Sequence, residues 1–376
     1  MIKNLNKKKS IIFTLVIVIF YLIIFFKFCN RSFPKEIYDD FKSKPIGLNE
    51  NERNIKQVIM SRECKYVDLV YTWVNGSDPI HEESKIQRIG NFSYSPPTTN
   101  FRDIGTLKYS LRSVRQYAPW IKNIFIITAN QIPTWFNIEN PENVRFISHD
   151  DYFHKKSDLP SFNSNSIESN FWNLPIEVSN CFLYLNDDII LSRPVEQSDY
   201  FDENFNQVVF FNKDVLGGKS GNSKSFDEYT MGVLLTNRAL AIIWGDGQEY
   251  KRNFPAHGIQ VFNRKIWYKM QEDFGTGLEI TSSHFFRNKT DFQMAHLYNQ
   301  FAIKFSKCTI KTTSDVLYLQ LNNDNFQQIF QKVDQLRLTI NSICLNDGIE
   351  LMTDEIQYLF DITFNEIFPI PSSFEK

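Results

Sequence analysis

The chain has 376 residues, a net charge of −2 and 42% hydrophobic residues, enough for one large core or two ordinary ones. The near-zero charge gives no global reason to expect nucleic acid as a partner. Five cysteines without a C-x-x-C pair argue against a structural zinc site, and the 14 glycines include no Gly-rich phosphate loop.

Lys3, Lys7, Lys8 and Lys9 precede the apolar run Ile11–Phe26, closed by Lys27 and Phe28. This pattern predicts a transmembrane signal anchor over residues 11–28, residues 1–10 cytosolic and the rest of the chain outside the cytosol. A cleaved signal peptide is the competing expectation, disfavoured by the bulky residues after the run. Polar residues 29–62 read as a stem, and residues 63–376 as the catalytic body. In such a compartment one or two disulfides can form. Cys181, inside an apolar run, is expected as a buried thiol.

The body opens with a strand, Tyr66–Val74, closed by the turn Asn75-Gly76-Ser77-Asp78-Pro79. Asp68 lies within that strand and needs a partner. A polar loop comes next, then Arg102-Asp103 ahead of a helix with Leu107, Leu111 and Val114 on one face. Asp103 is expected to cap the helix and Arg102 to meet an anion at its start. Lys122–Thr128 and Val144–Ser148 are further strands, and His149-Asp150-Asp151 is expected to cap the next segment. Strands separated by helices predict a largely parallel sheet whose strand ends face a ligand crevice.

Leu159–Asn170 is dense in small polar side chains, among them Asn163, Ser166 and Glu168, as suits a loop that holds a sugar or phosphate. Cys181–Leu191 then reads as two apolar runs with Asn186, Asp187 and Asp188 between them. Two adjacent carboxylates at a strand end suit a hard divalent cation that also touches phosphate oxygens; a polar turn is the plain alternative. Gln207–Asn212 is a strand, Gly217–Ser225 a candidate lid, and Tyr229–Trp244, Gln260–Asp273 and Asp291–Phe305 read as helices, the last capped by Asp291 just after Arg287. His257 stands beside Gly258. Leu317–Leu321 and Ser342–Gly348 are short strands, the second carrying Asn346-Asp347, and Thr353–Phe368 closes the body as an amphipathic helix.

Val67–Pro79, Phe101–Trp135, Leu159–Asp188, Pro255–Tyr298 and Ile343–Asp347 together resemble, in order, the characteristic regions of the Stealth family, which includes the N-acetylglucosamine-1-phosphotransferase catalytic subunit of lysosomal enzyme targeting and microbial capsule hexose-phosphate transferases. Ile104-Gly105-Thr106 departs from the acidic triplet usual there, and the surroundings of His257 hold fewer prolines.

The resemblance implies an α/β fold, a GT-A-like nucleotide-sugar-binding Rossmann-type sheet with flanking helices. It implies transfer of a sugar 1-phosphate, N-acetylglucosamine 1-phosphate from UDP-N-acetylglucosamine, to a mannose of a glycoprotein glycan in the Golgi or ER–Golgi membrane, releasing UMP. In-line attack at phosphorus needs a cation, phosphate-binding side chains and a base. Mg²⁺ or Mn²⁺ would be held by Asp187 and Asp188 with Asn346 and Asp347. Arg287 and Arg102 would neutralise phosphate oxygens, and His257 or Glu168 would be the base. Asp68, Asn75, Gly76 and Ser77 would hold the nucleotide; Asp103, Asn163, Ser166 and Asn186 would contact the donor or order its loop. A homodimer is the assembly considered. The rival functions are a metal-dependent glycosyltransferase, which would release UDP, and an inactive glycan-binding membrane protein.

Overall fold

The computed structural model describes residues 44–90, 98–215, 227–246, 251–312 and 316–376. The expected cytosolic tail and anchor and the Gly217–Ser225 loop lie outside them. Among the described residues no helix is long and apolar enough to cross a membrane. The latter part of the expected stem supplies α1 (Glu50–Ser61), opened by a capping box between Asn49 and Glu52. Ile59 is fully buried and Glu52 reaches His154 Nδ1 at 2.7 Å, so this helix is part of the body.

β1 (Val67–Thr72) comes next. The segment after it reads as a loop, yet Asp78 accepts from the amides of Ile80 and His81 and starts α2 (Pro79–Ile89). α3 (Thr106–Tyr117) begins after Gly105, whose φ of 93° is left-handed. Asp103 does not cap this helix; it accepts the Gly105 amide at 2.7 Å, inside the turn ahead of it. β2 (Ile124–Thr128), β3 (Val144–Ser148), the single turn α4 (His149–Tyr152) and α5 (Ser164–Ser169) precede β4 (Cys181–Asn186), β5 (Ile189–Leu191) and β6 (Gln207–Val215). Then come α6 (Glu228–Trp244), β7 (Asn253–Pro255) and β8 (Gln260–Asn263), so the helix expected from Gln260 starts later, as α7 (Arg264–Ser283). α8 (Met294–Phe305) is capped by Gln293, not Asp291. β9 (Cys308–Thr312), β10 (Val316–Leu321), α9 (Phe326–Leu336), β11 (Ser342–Asp347) and α10 (Asp354–Ile367) complete the order.

The fold is mixed α/β around a parallel core. Its main sheet runs β3-β2-β1-β4-β8, the first four strands parallel and β8 antiparallel. β1, β2 and β4 are apolar on both faces because helices cover both sides of such a sheet. Two three-stranded sheets, β10-β11-β5 and β7-β6-β9, stand beside it.

Cys181–Leu191 is therefore not one interrupted strand. The chain leaves the main sheet at Asn186 and enters the second sheet at Ile189, and the polar triplet is the passage between them. α3 braces both sheets. Ser110 Oγ lies 2.7 Å from Tyr71 Oη of β1 and donates to Ile189 O of β5 at 2.5 Å, and Ser113 Oγ accepts the Leu191 amide.

Cys181 is not a free thiol; it is disulfide-bonded to Cys64, with Cα atoms 5.6 Å apart. The parallel pairing sets Val67 beside Cys181, so Cys64, just upstream, reaches the same sheet edge.

Candidate active site

A cavity of about 800 Å³ opens over the C-terminal ends of β1, β2 and β4, where ligands of open parallel sheets bind. A recess of about 80 Å³ branches from it, lined by Glu168, Tyr184, Asn186, Tyr229, His257 and Arg287. The β4–β5 passage forms part of the floor, with Asn186, Asp187 and Asp188 all facing the cavity. Parallel strands end on a common edge, so the last residue of β4 and the turn after it must emerge there.

The surroundings of the Asp pair disfavour its ionisation. Burial holds the Asp187 carboxyl well above its usual range, and the charges of Asp188 and Asp103 push it further. Burial also raises Asp188, while His257 and the Cys344 thiol draw it back. Cys344 Sγ lies 3.3 Å from Asp188 Oδ2, and Asp188 Oδ1 has no hydrogen-bond partner among the described residues. A buried carboxylate oxygen left alone is costly. That one orphaned oxygen and the adjacent Asp187 carboxyl fit a hard divalent ion that finishes its shell with substrate oxygens and water. Among the described residues no group of three or more His, Cys, Asp or Glu side chains is placed to hold a metal.

Glu168 sits in the recess, accepting from Tyr184 Oη at 3.1 Å. Burial pushes its carboxyl up to about 7, against the lowering effects of Tyr184 and Arg287. His257 presents its ring edge-on to Tyr318 at 5.0 Å, and its Nδ1 is buried without a hydrogen-bond partner among the described residues. Arg287 is exposed, touches Ser164 Oγ at 3.1 Å, and makes no ion pair among the described residues. A proton-holding acid, an imidazole and an unpaired guanidinium thus meet two carboxylates at one cavity.

Other expected site residues are engaged elsewhere. Asp68 lies at the opposite end of β1, accepting from the backbone and side chain of Asn123 and from the Ser179 amide. It fastens β1 to its neighbours and does not line the cavity. Asn75 and Ser77 form an Asx turn, and Asn75 exchanges two hydrogen bonds with Gln131. Gly76 packs so close to Phe101 that a Cβ would stand 2.5 Å from its carbonyl oxygen. This turn supports the cavity wall from behind.

Arg102 lines the cavity but has its anion already, gripping Asp347 through Nε and Nη2 at 2.8 and 2.7 Å and also donating to Ile349 O. Asp347 is accordingly occupied and leaves the expected metal set, while Asn346 still faces the cavity. Asn163 donates to Asp291 at 2.7 Å, and Ser166 donates to Ser282 O. Both are interior to the α5–α7 packing. Asp291 in turn bonds His284 Nδ1 at 2.6 Å and the Asn288 amide, holding the loop that carries Arg287.

Three conserved regions of the Stealth protein family match in order. Region 1 covers residues 65–93, region 2 residues 100–226 and region 3 residues 256–304, together more than half of the chain. The chain belongs to the Stealth family. It is 30% identical over 321 residues to an exopolysaccharide phosphotransferase of Streptomyces coelicolor, covering 82% of this chain and 57% of that one. A capsular polysaccharide phosphotransferase of Haemophilus influenzae is 27% identical, covering 80% of this chain and 83% of its own length. One of Neisseria meningitidis serogroup A is 28% identical, covering 82% and 57%. The chain thus spans little more than half the length of two of these relatives. Mouse xyloside xylosyltransferase 1 in its apo form, at a TM-score of 0.36 and 8% identity over 74% of this chain and 97% of that one, is too distant to bear on the site.

In this Stealth chain the second region supplies Glu168, Asp187 and Asp188 and the third supplies His257 and Arg287, so separate conserved stretches face one cavity. Asn346 and Asp347 lie beyond the three matched regions. Sequence reasoning passes over His81, Phe162, Tyr229 and Cys344, all at or beside the cavity. The Asp78-Pro79 helix start is the one signal that would have brought His81 forward.

Proposed function

We propose that this Stealth chain transfers a sugar 1-phosphate from a nucleotide sugar to a hydroxyl of a glycan, releasing a nucleoside monophosphate. The carrying observation is the meeting of Asp187, Asp188, Arg287, His257 and Glu168 at one cavity over parallel strand ends, in a chain related to polysaccharide phosphotransferases. The donor is UDP-N-acetylglucosamine, seated as in a GT-A-like nucleotide-sugar fold, and the acceptor a mannose of a glycoprotein glycan. The Cys64–Cys181 bond supports an oxidising, lumenal setting in the Golgi or ER–Golgi membrane.

Asp187 and Asp188 would hold Mg²⁺ or Mn²⁺, with Asn186 and Asn346 as further oxygen donors facing the same cavity. The bound ion supplies Lewis-acid neutralisation of the phosphate charge. Arg287, which makes no ion pair among the described residues, binds oxygens of the transferred phosphoryl group, where its charge stabilises the transition state. The acceptor hydroxyl attacks the sugar-linked phosphorus. Its proton passes to Glu168 or His257, the new O–P bond forms, and the bond to the bridging oxygen breaks so that UMP leaves. Glu168, held near 7, is suited to take a proton at neutral pH.

The test is incubation of the protein with UDP-N-acetylglucosamine, an oligomannose acceptor and Mg²⁺ or Mn²⁺, with product analysis by mass spectrometry. UMP and a phosphodiester-linked product are expected; UDP and a glycoside would replace this reading with a glycosyltransferase.

A further inference from the structure

One wall of the cavity comes from none of the three matched regions. Asp227, Glu228, Tyr229 and Phe254 fall between regions 2 and 3, and Val316 and Tyr318 fall beyond region 3. They gather around His257. Its imidazole is met by two phenols, edge-on to Tyr318 at 5.0 Å and tilted to Tyr229 at 6.3 Å. Tyr229 is placed by the first turn of α6, where Asp227 accepts the Thr230 amide at 2.8 Å. Tyr318 is placed by β10, which presses on the His257 loop: a Cβ on Gly258 would stand 2.8 Å from both Val316 methyl carbons. The Tyr318 side chain is 45% exposed, and its Oη donates to Gln320 Oε1 at 3.0 Å, which fixes the ring on the wall. An aromatic ring exposed inside a cavity is apolar area that a ligand can cover. The same wall carries the carboxylates of Asp227 and Glu228 and, among its described residues, no Lys or Arg.

We propose that this wall selects a neutral glycan over an anionic one as acceptor, with Tyr318 as the surface on which the acceptor pyranose packs. The proposal rests on the phosphotransfer reading and adds the acceptor class and the residues that choose it. The matched regions supply the groups that act on phosphorus, so the choice of acceptor falls to the wall they do not supply. A pyranose has an apolar C–H face and a rim of hydroxyls, and its counterpart is a phenol ring bordered by carboxylates. The ring covers the C–H face, and the Asp227 and Glu228 carboxylates accept from hydroxyls. A uronate or a phosphorylated sugar in the same seat would set its own charge against those two carboxylates, a repulsion that works only on the wrong ligand. A sugar resting on Tyr318 also lies beside His257, one of the two groups placed to take the hydroxyl proton.

The experiment compares binding of mannotriose, a mannuronic acid trimer and UDP with Mn²⁺ to the full chain by calorimetry, which needs no turnover. Wild type is expected to bind mannotriose at least about tenfold tighter than the mannuronic acid trimer. Tyr318→Leu should weaken mannotriose about tenfold and leave the affinity for UDP unchanged. Tyr318→Phe, which keeps the ring and loses only the bond to Gln320, should stay within about twofold of wild type. Asp227→Asn combined with Glu228→Gln removes both charges, keeps an N-cap for α6 and should narrow the gap between the neutral and the anionic trimer. Melting curves of each variant identify any that fail to fold. If folded Tyr318→Leu keeps the wild-type affinity for mannotriose, or if wild type binds the two trimers equally or binds neither, the proposal fails, while phosphotransfer stands on release of UMP from the donor. Mannotriose binding that depends on Tyr318, in a protein that releases no UMP, would keep the wall as a neutral-glycan seat and overturn the phosphotransfer reading instead.

Discussion

Replacing Glu168 by Gln removes one ionisation and little else, since Tyr184 Oη can still donate to the side-chain oxygen that it now meets at 3.1 Å. In the folded protein the carboxyl titrates at about 7 against an ordinary value of 4.5, chiefly because it is buried. At about 1.4 kcal/mol per pH unit, that separation corresponds to about 3 kcal/mol. The sign is set by which form the fold prefers. A raised carboxyl pKa means the native state binds the proton more tightly than the unfolded chain. The stabilising contribution is whole below pH 4.5, declines as pH rises through 7 and is gone by about pH 8. Urea denaturation of both proteins at pH 4, 5.5, 7 and 8.5 isolates this group, because all other titrations are shared. The Gln variant should gain on wild type as pH rises, the gap widening by about 3 kcal/mol from pH 4 to pH 8.5, while phosphotransfer falls if Glu168 is the base. A gap that does not move with pH would refute the buried, proton-holding assignment.

Arg287→Ala should lower transfer by roughly 10²–10³-fold with an unchanged melting temperature, because the guanidinium is exposed and, among the described residues, hydrogen-bonds Ser164 Oγ alone; rate assays beside melting curves check both halves. Asp188→Asn should abolish metal-dependent transfer yet melt no lower than wild type at pH 8, since the carboxylate it replaces is held above its usual range by burial. Below pH 4, where the native acid is protonated, that relative advantage should vanish in the same melts. Cys64→Ser opens a cross-link spanning 117 residues, and the chain-entropy relation puts its cost at about 5 kcal/mol; the urea midpoint should fall equally in Cys64→Ser and Cys181→Ser, measured against the oxidised protein.

The strands that build the core are plain in the sequence because a parallel sheet covered on both faces needs continuous apolar runs, as β1, β2 and β4 have. The Asp187-Asp188 pair is visible for a related reason: carboxylates in the middle of such a run demand an explanation. What lies across the fold is not visible. The Cys64–Cys181 bond depends on β1 and β4 being neighbours, and the Arg102–Asp347 grip joins residues 245 apart. Within Leu159–Asn170 the composition is uniformly polar, and only the geometry of α5 turns Glu168 to the recess while sending Asn163 to Asp291 and Ser166 to Ser282. Asp68 misleads because a buried carboxylate satisfied by backbone amides is indistinguishable, as a letter, from one that binds substrate.

The passage from β4 to β5 has a consequence for how the protein is made. Asp188 gives its carbonyl to the Leu345 amide, its carboxylate receives the Cys344 thiol, and Arg102 is clasped by Asp347. All of these partners belong to β11, which leaves the ribosome after every residue of the three Stealth regions. A nascent chain can carry the complete family signature and still lack the strand that fixes its acidic pair. Completion of the acidic pair's surroundings is thus a late event in synthesis.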